Sequence, residues 1–91
     1  MLTSDKKAII IKKFATSPGD TGSPQVQVAL LSNQIGDLAS HLKAHDKDNH
    51  SRRGLLKIVS KRRRLLNYLA KINPDAYQEM VKKLNIGKGS N

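Results

Sequence analysis

The chain has 91 residues, of which 37% are hydrophobic, 3% are aromatic and none is cysteine. This length allows one small domain with a modest, mostly aliphatic core, and the lack of cysteine excludes disulfides and thiolate metal sites. Lysine and arginine number 17 against 7 aspartates and glutamates, a formal net charge of +10. This surplus predicts a polyanionic partner, either nucleic acid or an anionic membrane surface; the alternative is a basic surface that only serves solubility.

The first predicted helix covers residues 4–14 and ends at a segment rich in glycine and proline, residues 16–23. Ser23 is the expected N-cap of the second helix, with Pro24 in its first turn, where a missing N–H costs nothing. This helix ends near residue 44, because a polar stretch follows. The second helix carries an apolar stripe with heptad-like spacing. Its members are Val28, Leu31, Ile35, Leu38 and Leu42.

A third helix of similar length begins near Ser51 and stops at Asn73 and Pro74, which also open a fourth helix. The apolar stripe of the third helix is Leu55, Ile58, Val59, Leu65, Leu66, Leu69 and Ile72. That of the fourth is Tyr77, Met80, Val81 and Leu84. The pattern predicts an all-α fold of four helices, three of them packed as an antiparallel bundle. We expect a single domain over residues 1–91, with a loosely docked, mobile first helix (residues 1–15) and a frayed tail (residues 87–91).

A basic face is predicted on the third helix. All five arginines fall between Arg52 and Arg64, and no acidic residue occurs from 49 to 74. At about 100° per residue, one side of the helix carries Arg53, Lys57, Lys61, Arg64, Tyr68 and Lys71. Positive charge with one embedded aromatic ring suits nucleic-acid phosphates and a sugar or base edge, although Tyr68 could instead close the edge of the core. The opposite side is a regular leucine and isoleucine seam, so membrane binding is not favoured.

The stretch HDKDNHSRRG (residues 45–54) concentrates groups that could serve other chemistry. His41 and His45 have the spacing of paired zinc ligands, but the glutamate of the zinc-protease motif is missing. A calcium loop starting at Asp46 would place Ser51 where glycine is required and Lys57 where glutamate is required. No oxyanion-forming turn accompanies a serine–histidine–aspartate set. We therefore expect no enzyme activity, no metal and no cofactor. The short apolar run at residues 8–11 is too short for a signal peptide or membrane span, which predicts a soluble cytoplasmic protein.

Two long segments resemble the bacterial ribosomal protein S15 family of the small subunit. They are GDTGSPQVQVALLSNQI (residues 19–35) and HLKAHDKDNHSRRGLLKIVSKRRRLLNYL (residues 41–69). The resemblance extends over most of the chain, from about Lys12 to Leu84. It implies a four-helix structural protein that binds small-subunit ribosomal RNA directly, at a three-way junction and at a G·U/G·C minor-groove element of the central domain. It also implies early assembly with neighbouring proteins of the platform, a position near a bridge to the large subunit, and a monomer when free.

The resemblance also implies which residues touch RNA. The junction contacts fall on Thr21, Gly22, Gln27, Gln34, Arg64 and Tyr68. The minor-groove contacts fall on His41, Asp48 and Ser51, with His45 beside them. The chain departs from the family pattern in two places: Asn49 stands where a second histidine is common next to His50, and Gln34 stands where relatives are often basic.

The physics of RNA agrees with this assignment. An RNA helix has a narrow major groove and a wide, shallow minor groove, so short polar side chains on a loop reach base edges there. Asp48 is out of place for phosphate attraction but suits a guanine amino group. Phosphate contacts without sequence preference are then expected from Arg52, Arg53, Lys57, Lys61 and Lys71. The competing hypothesis is a DNA-binding protein of helix-turn-helix or histone-like type, which charge alone would allow.

Overall fold

The computed structural model describes residues 4–16 and 22–84 and shows four helices there, with no strand in those ranges. They are α1 (Ser4–Phe14), α2 (Pro24–Ala44), α3 (Asn49–Ile72) and α4 (Pro74–Leu84). The all-α fold is therefore confirmed. Residues 17–21, among them Thr21, and the tail at 87–91 lie outside the described residues. No helix in the described ranges carries an apolar stretch long enough to cross a bilayer.

Side-chain and backbone caps fix the helix ends. Ser23 accepts a hydrogen bond from the Val26 N–H at its hydroxyl (3.3 Å) and precedes a proline at the first helical position, as predicted. Asn73 ends α3 and caps α4 by accepting from the Ala76 N–H (3.1 Å). The prediction that α3 starts near Ser51 was two residues late, because Asp48 is the N-cap and the helix begins immediately after it.

The buried core lies at one end of the molecule. The first half of α2 packs there against the second half of α3, with one side chain each from α1 and α4 completing the cluster. Its members are Phe14, Val26, Val28, Ala29, Leu66, Leu69 and Met80. Val26 and Ala29 were not in the predicted stripe. They are buried because α2 contacts α1, α3 and α4 and is thus covered on more than one side.

Two residues of α3 differ from their predicted places. Ile72, assigned to the apolar stripe, is 56% exposed, because the 100° rotation per residue brings it beside Tyr68 on the basic side. Arg62 lies in the stripe and is only 8% exposed, with its Nη1 donating to the hydroxyl of Ser32 on α2 (3.1 Å). Tyr68 is 53% exposed, which supports the basic face over the edge of the core.

Candidate nucleic-acid interface

The turn between α2 and α3 (residues 45–48) is held by its own backbone. The His45 N–H donates to the His41 carbonyl (2.9 Å) and ends α2, and the Asp48 N–H donates to the His45 carbonyl (3.1 Å). Arg52 reaches back from α3 and donates from its guanidinium to the Asp46 carbonyl. Because these hydrogen bonds fix the backbone of the four-residue turn, its polar side chains are held in one arrangement.

Asp48 is the centre of a hydrogen-bonded cluster. Its Oδ1 accepts from the Ser51 N–H (3.1 Å), and its Oδ2 accepts both from the Ser51 hydroxyl (2.7 Å) and from His41 Nε2 (2.9 Å). The Ser51 hydroxyl, the Ser51 N–H and then His41 all favour the ionised carboxylate and hold the pKa of Asp48 far below its ordinary value. Asp48 is therefore a charged acceptor at neutral pH.

The hydrogen-bonding capacity that Asp48 and Ser51 have left over is that of acceptors. Ionised Asp48 offers about four lone-pair sites, of which three are used by Ser51 and His41. The Ser51 hydroxyl donates its only hydrogen to Asp48, so its oxygen can act toward a partner only as an acceptor. Because a carboxylate only accepts, His41 Nε2 is the donor in the contact with Asp48. Such a set recognises donors, which in a minor groove means the guanine amino group and 2′-hydroxyls.

His45 contributes through its ring rather than through Asp48. The ring centroids of His41 and His45 are 4.7 Å apart with the planes tilted by 31°. This contact limits the orientations available to His41, whose Nε2 must meet Asp48. A shallow depression of about 270 Å³ adjoins the cluster and is lined by Asp37, Leu38, His41 and Ser51. The predicted minor-groove residues are thus brought together at the end of the hairpin that lies opposite the core.

Of the predicted junction residues that the structure describes, Gly22 and Gln27 lie at the start of α2, at the other end of the hairpin. The Gln27 side-chain amide donates to the Gly22 carbonyl (2.7 Å) and fixes the entry to α2. Arg64 and Tyr68 are exposed one turn apart on α3, close to the half of α3 that packs against the start of α2. Gln34 is half-buried on α2, two turns beyond Gln27. Along α3 the distance from Ser51 to Arg64 is about 20 Å at 1.5 Å per residue.

The basic face of α3 is exposed, and its cations have no acidic partner among the residues that the structure describes. Each of its charged members is exposed, and none forms an ion pair with an acidic side chain in the described part of the chain. These members are Arg53, Lys57, Lys61, Arg64 and Lys71. Two features near this face were missed from the sequence, namely exposed Leu56 beside Ser60 and the burial of Arg62. No group of three or more histidine, aspartate or glutamate side chains in residues 4–16 and 22–84 could hold a metal ion.

Comparison with known proteins identifies the family. The family model described as Ribosomal protein S15 matches residues 6–87. A curated relative from Bordetella avium (strain 197N), named Small ribosomal subunit protein uS15, is 55% identical over 83 residues, which cover 91% of this chain and 93% of the relative. The chain belongs to the ribosomal protein S15 family. The resemblance seen in the two sequence segments is therefore confirmed, and this member of the S15 family is a structural protein of the small ribosomal subunit.

Proposed function

We propose that this protein binds small-subunit ribosomal RNA through two surfaces of one helical hairpin. The observation that carries the proposal is the exposed basic face of α3, whose cations have no acidic partner in the described chain. A face of one sign is self-repelling until an anion neutralises it, and the RNA backbone supplies such an anion along a path of about 20 Å or more. Membership of the S15 family supports ribosomal RNA as the polyanion.

The finer assignment follows the family resemblance. The Asp48 cluster reads a G·U/G·C element in a minor groove, and the residues around Gly22, Gln27, Arg64 and Tyr68 hold a three-way junction of the central domain. The acceptor character of the cluster supports the first half, because guanine alone places an amino donor in the minor groove. By ordering the junction the protein prepares the platform for neighbouring proteins, and it lies near a bridge to the large subunit.

The competing DNA-binding hypothesis predicts a different preference. Competition between the ribosomal RNA junction and a DNA duplex of equal length, at one salt concentration, separates the two. We expect the RNA to be bound at least tenfold more tightly, since the junction shape, the wide and shallow minor groove and the 2′-hydroxyls belong to the RNA and are missing from the DNA duplex. Equal affinity for both would contradict the proposal.

The guanine-reading role has its own test. Asp48→Ala should weaken binding to RNA with the G·U/G·C element roughly ten- to a hundredfold and leave binding to unrelated RNA unchanged or slightly stronger. Asp46→Ala is the matched control, because it removes the same charge from an exposed position in the same turn. Equal weakening of both kinds of RNA by Asp48→Ala would show that the carboxylate only shapes the turn.

A further inference from the structure

Leu56 and Ser60 of α3 are not assigned to either proposed RNA contact. They line a depression of about 430 Å³ that lies open to solvent near the middle of the helix. The described residues that line it are Leu56, Lys57, Ser60, Lys61 and Arg64. Leu56 is 64% exposed, whereas Leu55 and Ile58 beside it on the helix are half-buried.

An isolated exposed leucine needs no explanation on most surfaces. Leu56 is different because the cations Lys57, Lys61 and Arg64 line the same depression and have no acidic partner in the described chain. Ser60, which lines the depression together with Leu56, adds a hydroxyl. The site therefore offers an apolar contact, a hydrogen-bonding group and positive charge within two helical turns.

An unpaired nucleotide has the complementary chemistry. Its base has an apolar face, its ribose has a 2′-hydroxyl, and its phosphate carries the negative charge. We propose that the depression receives one unpaired nucleotide of the RNA partner, with the base on Leu56, the sugar or a base edge at Ser60, and the phosphate at Lys57, Lys61 and Arg64. The inference rests on the proposed RNA-binding function and adds a contact between its two ends.

A protein segment fits the depression less well. Helices that dock in grooves use several apolar anchors at spacings of three, four and seven residues. Among the described lining residues Leu56 is the one large apolar side chain, and the next exposed one on α3, Tyr68, is about 18 Å further along the helix. A single anchor surrounded by cations favours a nucleotide over a peptide.

The affinity test compares two exposed aliphatic side chains. Leu56→Ala should weaken binding to small-subunit ribosomal RNA about tenfold, as expected for losing the burial of one leucine, and leave the salt dependence unchanged, because no charge is removed. Leu56→Phe should bind as tightly as the wild type or more tightly, since a ring can stack on the base. Ile9→Ala, at a position 67% exposed on α1, is the control and should have no effect.

Crosslinking identifies the occupant directly. The chain has no cysteine, so the thiol of Leu56→Cys is a unique attachment point for a photoreactive crosslinker on the full-length protein. In assembled small subunits we expect the crosslink to map to an unpaired nucleotide. A crosslink to a neighbouring protein or to a fully paired RNA segment, or an unchanged affinity for Leu56→Ala, would overturn the inference while leaving the proposed function intact. Failure of the wild type to prefer ribosomal RNA would instead overturn the proposed function itself.

Discussion

Asp48 caps α3 and at the same time faces the proposed minor groove. Three of its lone-pair sites are filled within the protein by Ser51 and His41, so the carboxylate is oriented before RNA arrives and has about one site left for a guanine amino group. Preorganisation of this kind lowers the entropic cost of binding. The same bonds make Asp48 a contributor to the stability of the free protein.

The contribution of Asp48 to the stability of the folded protein should be lost as the pH falls into the acid range. The pKa of Asp48 in the folded protein lies below the ordinary value of 3.8, so the unfolded chain takes up the proton first as the pH falls. The contribution is therefore fully present above about pH 4 and is lost progressively below it. Thermal unfolding should show Asp48→Ala less stable than the wild type at about pH 5, with the difference in Tm shrinking toward about pH 2.

Asp46→Ala is again the control for this experiment, since it lies in the same turn and its side chain is exposed. It should change Tm little at any pH. A difference between Asp48→Ala and wild type that stayed constant from about pH 5 to about pH 2 would mean that ionisation of Asp48 is not linked to folding.

Arg62 shows where reasoning from the sequence was insufficient. The apolar stripe of α3 has a gap between Val59 and Leu65, and helical spacing places residue 62 inside that gap. Arg62 was not predicted to be buried, because arginine rarely lies in a protein interior. Burial lowers the pKa of Arg62 by desolvation. Ser32 accepts a hydrogen bond from its Nη1, and within residues 4–16 and 22–84 its Nε has no hydrogen-bond partner. The gap in the stripe was the available signal, but the contact with Ser32 depends on how α2 and α3 are packed.

At the scale of the elements, the helix ends were predictable because caps are local. Ser23 with Pro24, and Asn73 with Pro74, set their helices from neighbouring residues alone. The start of α3 was misplaced because several polar residues in the turn could serve as a cap, and Asp48 was chosen by its bonds to Ser51. The helices against which α1 packs could not be predicted from the sequence either, since an amphipathic helix does not specify which neighbour it covers.

Phe14 is the buried residue of α1 and anchors that helix in the core cluster. It is 8% exposed, packs in the core cluster, and has the ammonium groups of Lys13 and of Lys83 on α4 each 5.7 Å from its ring centroid. If α1 is held by this contact, Phe14→Ala should lower the free energy of unfolding by about 3 kcal/mol, through lost burial and the cavity left behind. Denaturant unfolding followed by circular dichroism measures the change.

Ile9→Ala provides the comparison on the same helix. Ile9 is 67% exposed, so its truncation should change the free energy of unfolding by less than about 0.5 kcal/mol. The expectation from the sequence was a loosely docked first helix, and the pair of variants decides the matter. A cost for Phe14→Ala as small as that for Ile9→Ala would show that α1 detaches easily and that the core does not depend on it.

At the scale of the whole molecule, stability and recognition occupy different ends of the hairpin. The core cluster involves all four helices at one end, whereas the Asp48 cluster lies at the other, where α2 and α3 pair through half-buried side chains. The basic face connects the two ends along α3. This separation lets the exposed cations of α3 remain without acidic partners in the described part of the chain, because the repulsion among them is opposed by packing elsewhere in the protein.

The net charge of +10 predicts strong salt dependence of RNA binding, since each neutralised phosphate releases counterions. Arg64→Ala, which removes an exposed cation, should weaken binding to any RNA and reduce the slope of log K against log salt by about 1. Arg62→Met is the matched comparison: it also removes one arginine, but from the interior, and methionine fills a similar apolar space. In filter-binding titrations, the slope of log K against log salt for Arg62→Met should equal that of the wild type. Equal loss of slope from both variants would mean that total charge, rather than the exposed face of α3, governs the interaction.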